Sequence, residues 1–385
     1  MREKDRTTLE ALSRARPDAL DPTRLAGSTR QREDLAELMA AQPARATARP
    51  TAGRRRLLVP LVGLAAAVAV GVGAVGVGIG QHRGTQTTQS AGPDGHLVLL
   101  SMADSVRNQA TQGDYWQFET QDQYLSIAPA AGSAAGQPFV IADVSETDWS
   151  IGVKPGEQSQ RVSGLNAKRG PWTPQDIRRW QSAGSPATVE IDPGVSKGSG
   201  KLEMAVGAGR PYVDHTDYGD AIVALGSKNV NYAYLQQLPG NLNELAMMLN
   251  KMYQEDGGTR NTDQPDWMFN QVGNLITFPV SGAVRAAAYR VLAALPGISS
   301  LGTVTDPLGR TGVGVALPPQ QMGDLGQEQQ QLIVDPATST ILSQQTVLVA
   351  PSRFAASAGM RPGTVIDYQA TTHIGWTDQQ ADGPR

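Results

Sequence analysis

The chain has 385 residues, no cysteine, four histidines and a formal net charge of −3. Without cysteine there is no disulfide, no thiol nucleophile, no cysteine-containing zinc site and no lipoprotein anchor, so an exported domain must be held by its own core. The charge is uneven: residues 1–56 carry 13 Lys/Arg and 8 Asp/Glu, a net of +5, and the remainder carries 20 basic and 28 acidic residues, a net of −8; this acidic majority argues against nucleic acid as a partner.

Residues 1–53 contain two short helical patterns. Thr7–Ala15 places Leu9 and Leu12 on one face, and Thr29–Ala41 places Leu35, Leu38 and Met39 on another, with Pro17, Pro22, Pro43 and Pro50 interrupting them. Pieces this short are marginal helices alone. The segment reads as a basic, partly disordered tail, or as one that folds onto a cytoplasmic regulatory protein. No histidine precedes His82, so a zinc-containing anti-sigma domain is absent.

Leu57–Gly80 (LLVPLVGLAAAVAVGVGAVGVGIG) carries no charge and follows Arg54-Arg55-Arg56. A helix of this length spans roughly 36 Å, enough for a hydrocarbon core of about 30 Å. Residues 54–80 therefore read as a single transmembrane helix with an arginine flank. By the positive-inside rule, Arg54, Arg55 and Arg56 keep the N-terminus cytoplasmic and send the C-terminal part outside the cell membrane. A removable signal peptide would need an n-region of more than about 50 residues, and no A-x-A-like site closes the apolar run. A buried soluble helix is the other rival, and six glycines between Gly63 and Gly80 make that helix poor in water. Gly71–Gly76 fits G-x-G-x-x-G, but neither a following helix nor a suitably placed acid supports a dinucleotide site. Gly76-x-x-x-Gly80 fits the small-residue packing motif through which two spans form a homodimer.

Residues 81–95 have a linker's composition. The outer part, residues 96–376, opens with a helical stripe of Val98, Met102, Val106 and Gln109. Strands are predicted at Tyr115–Thr120, Phe139–Val144 and Trp149–Val153, with a turn at Lys154-Pro155-Gly156. Thr173 is positioned to cap a helix, Pro174 to start it, Asp176 to face its positive end and Gly184 to stop it; Ile177 and Trp180 read as core contacts. Gly194-Val195-Ser196-Lys197-Gly198 fits G-x-S-x-G, yet Gly198-Ser199-Gly200 breaks the helix that a nucleophile elbow needs, so a serine hydrolase acting through Ser196 is the unfavoured reading. Asp214, His215, Asp217 and Asp220 lack the alternate spacing of a calcium loop and read as a solvated loop. The other histidines, His82, His96 and His373, are isolated in sequence, which leaves no acid–base constellation.

From Tyr232 onward three helices and then strands are predicted. Asn241 and Glu244 form a capping-box pattern ahead of Leu242, Leu245, Leu249 and Met252. Residues 265–277 align Met268, Val272 and Leu275, and Ser281 caps a helix through Val284, Ala288, Val291 and Leu295, stopped at Leu295-Pro296-Gly297. Strands at 298–305, 311–317, 329–334, 338–349 and 364–374, joined by short loops, point to an antiparallel meander. Residues 377–385 read as a disordered tail.

Arg54-Arg55-Arg56, Tyr115-Trp116, Trp172-Thr173-Pro174 and Leu238-Pro239 punctuate most of the chain, as do Ala286–Arg290 through Gly297, Asp306–Arg310 and Asp335–Thr338. This pattern resembles an uncharacterised actinobacterial family of single-span membrane proteins encoded beside extracytoplasmic-function sigma factors. The resemblance implies membrane topology and a signalling neighbourhood, and it implies no reaction. The helix-then-meander order also resembles the curved half-barrel of periplasmic lipoprotein carriers and of anti-sigma regulators' sensor domains, an analogy of architecture.

The expected fold class is α+β: one transmembrane helix, then an extracytoplasmic curved antiparallel sheet with helices on one face, half-barrel-like. The expected function is a non-enzymatic sensor or regulatory protein without cofactor, metal or catalytic residue, whose outer domain binds an envelope peptide, lipid or protein. A lipid or lipoprotein carrier is the alternative, and it requires an apolar groove in the concave face of the sheet.

Overall fold

The computed structural model describes residues 95–107, 113–129, 137–191, 202–258 and 262–381. The basic tail, the Leu57–Gly80 span with Arg54, Arg55 and Arg56, both glycine motifs within it, the linker up to residue 94 and Ser196 lie outside the described residues. Among the described residues no helix is long and apolar enough to cross a membrane.

Helix α1, Gly95–Val106, buries Val98, Leu99, Met102, Ala103 and Val106, so the expected stripe packs as read, with Gln109 beyond the described residues. Strand β1, Tyr115–Ala128, pairs along its whole length with β2, Phe139–Gly152. The two strands expected at 139–144 and 149–153 are thus one. Ser145-Glu146-Thr147-Asp148 holds no glycine or proline, and its polarity marks a polar stretch of sheet face where a turn would have needed such residues. A turn at Lys154–Glu157 leads to β3, Ser159–Pro171.

Helix α2, Pro174–Ser182, starts as read, and Thr173 and Asp176 form a reciprocal capping box. The Asp176 carboxylate also accepts from the backbone N–H of Val140 at 2.9 Å and is 2% exposed. With Asp176 on the buried side, Ile177 turns outward at 41% exposure, contrary to its reading as a core contact; Trp180 packs half-buried against a hairpin. That hairpin pairs β4, Thr188–Ile191, with β5, Leu202–Ala205. Short strands β6, Gly207–Ala208, and β7, Tyr212–Thr216, pair with β3, and β8, Val223–Leu225, pairs with β9, Lys228–Val230.

Three longer helices follow the short α3, Tyr232–Gln236: α4, Leu242–Glu255; α5, Gln264–Thr277; and α6, Gly282–Ala293. Asn241 and Ser281 accept from the N–H groups of Glu244 and Val284, the caps expected of them. Leu245, Leu249 and Met252 are buried and Leu242 is half-buried against the same core. Helix α6 is buried on nearly every side, from Val284 through Ala293 apart from Arg290. A Cβ on Gly282 would lie 2.6 Å from the backbone oxygens of Val106 and Arg107, so α6 begins directly against the end of α1.

The second group of strands is β10, Ser299–Thr305; β11, Thr311–Ala316; β12, Gln320–Gly323; β13, Gly326–Val334; β14, Ile341–Pro351; and β15, Thr364–Thr377. Helix α7, Arg353–Ser357, interrupts them. The fold is α+β, with one large antiparallel sheet and seven helices among the described residues. The sheet order is β10-β11-β13-β14-β15-β1-β2-β3, so β15 joins an N-terminal meander to a C-terminal one. Past β15, in the stretch expected as a free tail, Ala381 donates from its N–H to Ser150 Oγ at 2.8 Å and accepts from Gln160 Nε2 at 3.0 Å. Polar groups left open at this end of β2 and β3 hold that segment.

One face of the sheet carries α1 and α4–α6. Trp116 and Phe118 of β1, Val315 of β11 and Leu332 of β13 join the helices in the main core. Along the same face of β1, Ala128 meets Phe139, Ile141 and the β4–β5 hairpin. Between these two covers the face is polar: Thr120, Asp122, Tyr124 and Ser126. On the opposite face Leu125, Ile127 and Val140 form a smaller core with α7 and Met360.

Candidate functional site

A cavity of about 280 Å³ opens where β1, β15, α5, α6 and the β13–β14 turn meet. Trp116 and Trp376 are cross-strand partners on β1 and β15, and their rings meet edge-on at 5.0 Å between centroids. Opposed aromatic residues on neighbouring strands reach each other because the facing Cβ atoms are only about 5 Å apart. Trp116 is 5% exposed, and its Nε1–H donates at 2.9 Å to the carbonyl of Thr277, the last residue of α5.

Arg285 of α6 closes the other side. Its guanidinium lies over the Trp116 ring, 5.3 Å from the centroid. Its Nε donates to the carbonyl of Ile276 at 2.9 Å, and an Nη donates to that of Phe278 at 3.0 Å. These are carbonyls at the C-terminal end of α5, where the helix has no N–H of its own to offer and where its dipole favours positive charge. Burial pushes the guanidinium down to about 10 against a smaller opposing effect of Tyr289, so it stays cationic at neutral pH.

Tyr289, one helical turn further along α6, is fully buried, and burial raises its phenol. It donates to the carbonyl of Ser339 at 2.7 Å. Ser339 adopts a left-handed backbone at φ 55° in the turn at Asp335–Thr340. The Asp335 side chain accepts from the N–H of Ala337 at 2.9 Å and the hydroxyl of Thr338 at 2.8 Å, which shapes that turn. Ser339 Oγ contacts Met102 Sδ at 3.1 Å and is hydrogen-bonded to Ser105.

Among the described residues Arg285 is the one charged side chain lining the cavity; the other walls are tryptophan, isoleucine, serine, threonine and glycine. The Ser339 hydroxyl is engaged by α1, with no imidazole or carboxylate lining the cavity beside it. The arrangement suits binding of a small group by aromatic faces and one cation. It contains no nucleophile–base pair.

The residues singled out from sequence do not converge here. Asp214 pairs with Arg161 at 2.6 Å, Asp217 accepts from Gln158 at 2.8 Å, and His215 hydrogen-bonds Gln160 at 3.0 Å, so three of the four members of that cluster are bound to β3 or to the turn before it. Among the described residues no group of three His, Asp or Glu is placed to hold a metal ion. His96 Nδ1 lies 2.9 Å from the carbonyl of Ala293, and His373 sits exposed on β15. Arg285, Ser339 and Trp376 escaped sequence reading. The one available signal was a charged residue, Arg285, directly beside the apolar register of Val284, Ala288 and Val291.

No family model, curated protein or solved structure matches the chain.

Proposed function

We propose that the chain is a single-span membrane protein whose outer domain, residues 96–376, is a non-enzymatic ligand sensor, and whose basic tail, residues 1–53, acts on a cytoplasmic regulatory partner. The observation that carries this reading is the Trp116–Arg285–Trp376 cavity: small, walled by tryptophan, isoleucine and short polar side chains, with one cation and, among the described residues, no acid–base pair. Its small volume and its single cation favour a short envelope peptide or another small anionic ligand over an acyl chain. The lipid-carrier alternative is disfavoured because the space between helices and sheet is filled by Leu249, Val272, Leu275, Leu292 and their neighbours. In this reading the sheet is a half-barrel bent around α4–α6. Its register shifts opposite Glu119 and Thr346 support that, because an extra residue bends a strand.

The topology, the Gly76–Gly80 homodimer and the link to a sigma factor belong to the same proposal. Protease added to intact protoplasts is expected to degrade residues 96–376 and spare residues 1–53. Capture with residues 1–53 is expected to retrieve a cytoplasmic regulator, and deletion of the chain, or Trp376→Ala, to change expression from the promoter that regulator controls. A protected outer domain refutes the topology. Absence of both capture and expression change refutes the regulatory role.

A further inference from the structure

The polar stretch between the two covers of the sheet face has a feature that the cavity lacks. Cross-strand pairing sets Asp143, Tyr124, Asp367, Thr346 and Gln330 in one row, on β2, β1, β15, β14 and β13. Asp122 flanks the row two residues from Tyr124, and Glu328 flanks it two residues from Gln330, both on the same face. Strands lie about 4.8 Å apart, so Asp367 and Gln330 stand roughly 10 Å apart across β14.

The four carboxylates differ in what they meet. Asp143 is ion-paired with Arg169 at 2.7 Å. Asp122 accepts from the hydroxyls of Thr120 at 2.9 Å and Thr147 at 3.4 Å. Asp367 and Glu328 have neither an ion pair nor a side-chain hydrogen bond among the described residues. Glu328 is 7% exposed, whereas Asp367 is exposed to water, with the neighbouring strands crowding its carboxylate. Burial, then the charge of Asp122, raises Asp367 to about 7; burial, then the charge of Asp367, raises Glu328 to about 7.

A second, different observation lies beside them. Gln330 is 6% exposed, and its Oε1 is buried with no hydrogen-bond partner. A buried acceptor left unpaired costs about 1–3 kcal/mol, and an uncompensated buried carboxylate costs more. The row is therefore short of donors, and of positive charge in particular. A single metal ion does not fit, because these acceptors sit on separate strands and no three acidic or imidazole groups converge among the described residues. Acceptors spaced by 5–10 Å instead match N–H donors distributed along a flexible chain.

We propose that this row is a second binding site, which takes an organic cation bearing two or more alkylammonium or guanidinium groups. Asp367 and Glu328 each hold one such group, and Gln330 Oε1 accepts a further N–H. Asp122 adds its charge to the field while its own hydrogen bonds keep it in place. The site stands independently of the cavity, since Asp122 is six residues along β1 from Trp116, about 20 Å at the rise of a strand. A polyamine and a lysine- or arginine-rich peptide offer the same chemistry.

The test is calorimetric titration of the full-length chain at pH 8 and low salt with spermidine and, separately, with trilysine. Binding of either is expected, weakened at least tenfold by the double variant Asp367→Asn/Glu328→Gln and unchanged by Glu244→Gln, an exposed carboxylate on α4. Spermidine alone identifies a polyamine site, and trilysine alone identifies a peptide site. The double variant is also expected to melt higher than the parent at pH 8, which shows that it folds. No binding of either cation, or binding that survives the double variant, overturns the proposal.

Discussion

The guanidinium of Arg285 lies over the ring of Trp116 while capping the carbonyls at the end of α5, so one side chain joins α6, α5 and β1. Trp116 donates to the adjacent carbonyl of Thr277 and completes the cap from the sheet side. Arg285→Met leaves the carbonyls of Ile276 and Phe278 buried without those donors and is expected to cost about 2–4 kcal/mol. Arg285→Lys keeps the charge but loses the planar fork and is expected to recover less than half of that. Urea midpoints of the two variants check both values.

Asp176 illustrates a cap that also serves a strand. Its carboxylate accepts from Thr173 N at 3.0 Å, from the Thr173 hydroxyl and from Val140 N at 2.9 Å. Thr173→Ala removes one partner and is expected to cost about 1 kcal/mol. Asp176→Ala leaves the buried N–H of Val140 unsatisfied and is expected to cost about 2–3 kcal/mol. Hydrogen exchange at the Val140 amide is expected to speed up in the second variant only.

Stability is expected to fall as pH rises from about 4 to about 7. Asp367 and Glu328 each titrate at about 7 in the fold, above their ordinary values of 3.8 and 4.5, and Asp148 is raised to about 6 by burial and the charge of Glu119. In that window the native state binds more protons than the unfolded chain, so raising pH favours unfolding, and the effect levels off above pH 7. Glu328 is buried and contributes on the order of 1–3 kcal/mol, whereas water at Asp367 screens its share to less. Urea denaturation at pH 5 and pH 8 measures the difference. Asp367→Asn/Glu328→Gln is expected to remove most of it.

Gly282 tests the packing of α1 on α6. Gly282→Ala would drive a methyl into the backbone oxygens of Val106 and Arg107, which have no rotamer through which to yield. The expected cost is about 1–3 kcal/mol, with faster amide exchange at the end of α1. A neutral result would mean that the two helices can part without loss.

Much of the scaffold was legible because its cues are local. Thr173, Asn241 and Ser281 cap where their neighbours require it, and the registers of α4, α5 and α6 repeat at helical spacing. The strand order was not legible. Pairing of β15 with β1 joins residues more than 240 positions apart, and no turn encodes it. The gap left between the strands expected at 139–144 and 149–153 falls on the polar run Ser145–Asp148, which lacks apolar alternation yet belongs to β2. Of the cavity, Trp116 was marked only as part of a strand. Its partners Arg285, Ser339 and Trp376 reach it from three distant elements, a convergence that periodicity along the chain does not carry.

The placement of β15 has a consequence for biogenesis. The first three long strands leave one margin of β1 unpaired until residues 364–377 arrive, and the five strands before β15 likewise wait for the same segment. Two half-sheets with open hydrogen-bonding edges must coexist while the chain is made, a state exposed to wrong partners. Closure by one late segment makes the assembly slow for its size. A chain stopped at residue 360 would be left as two sticky halves, a substrate for chaperones and proteases.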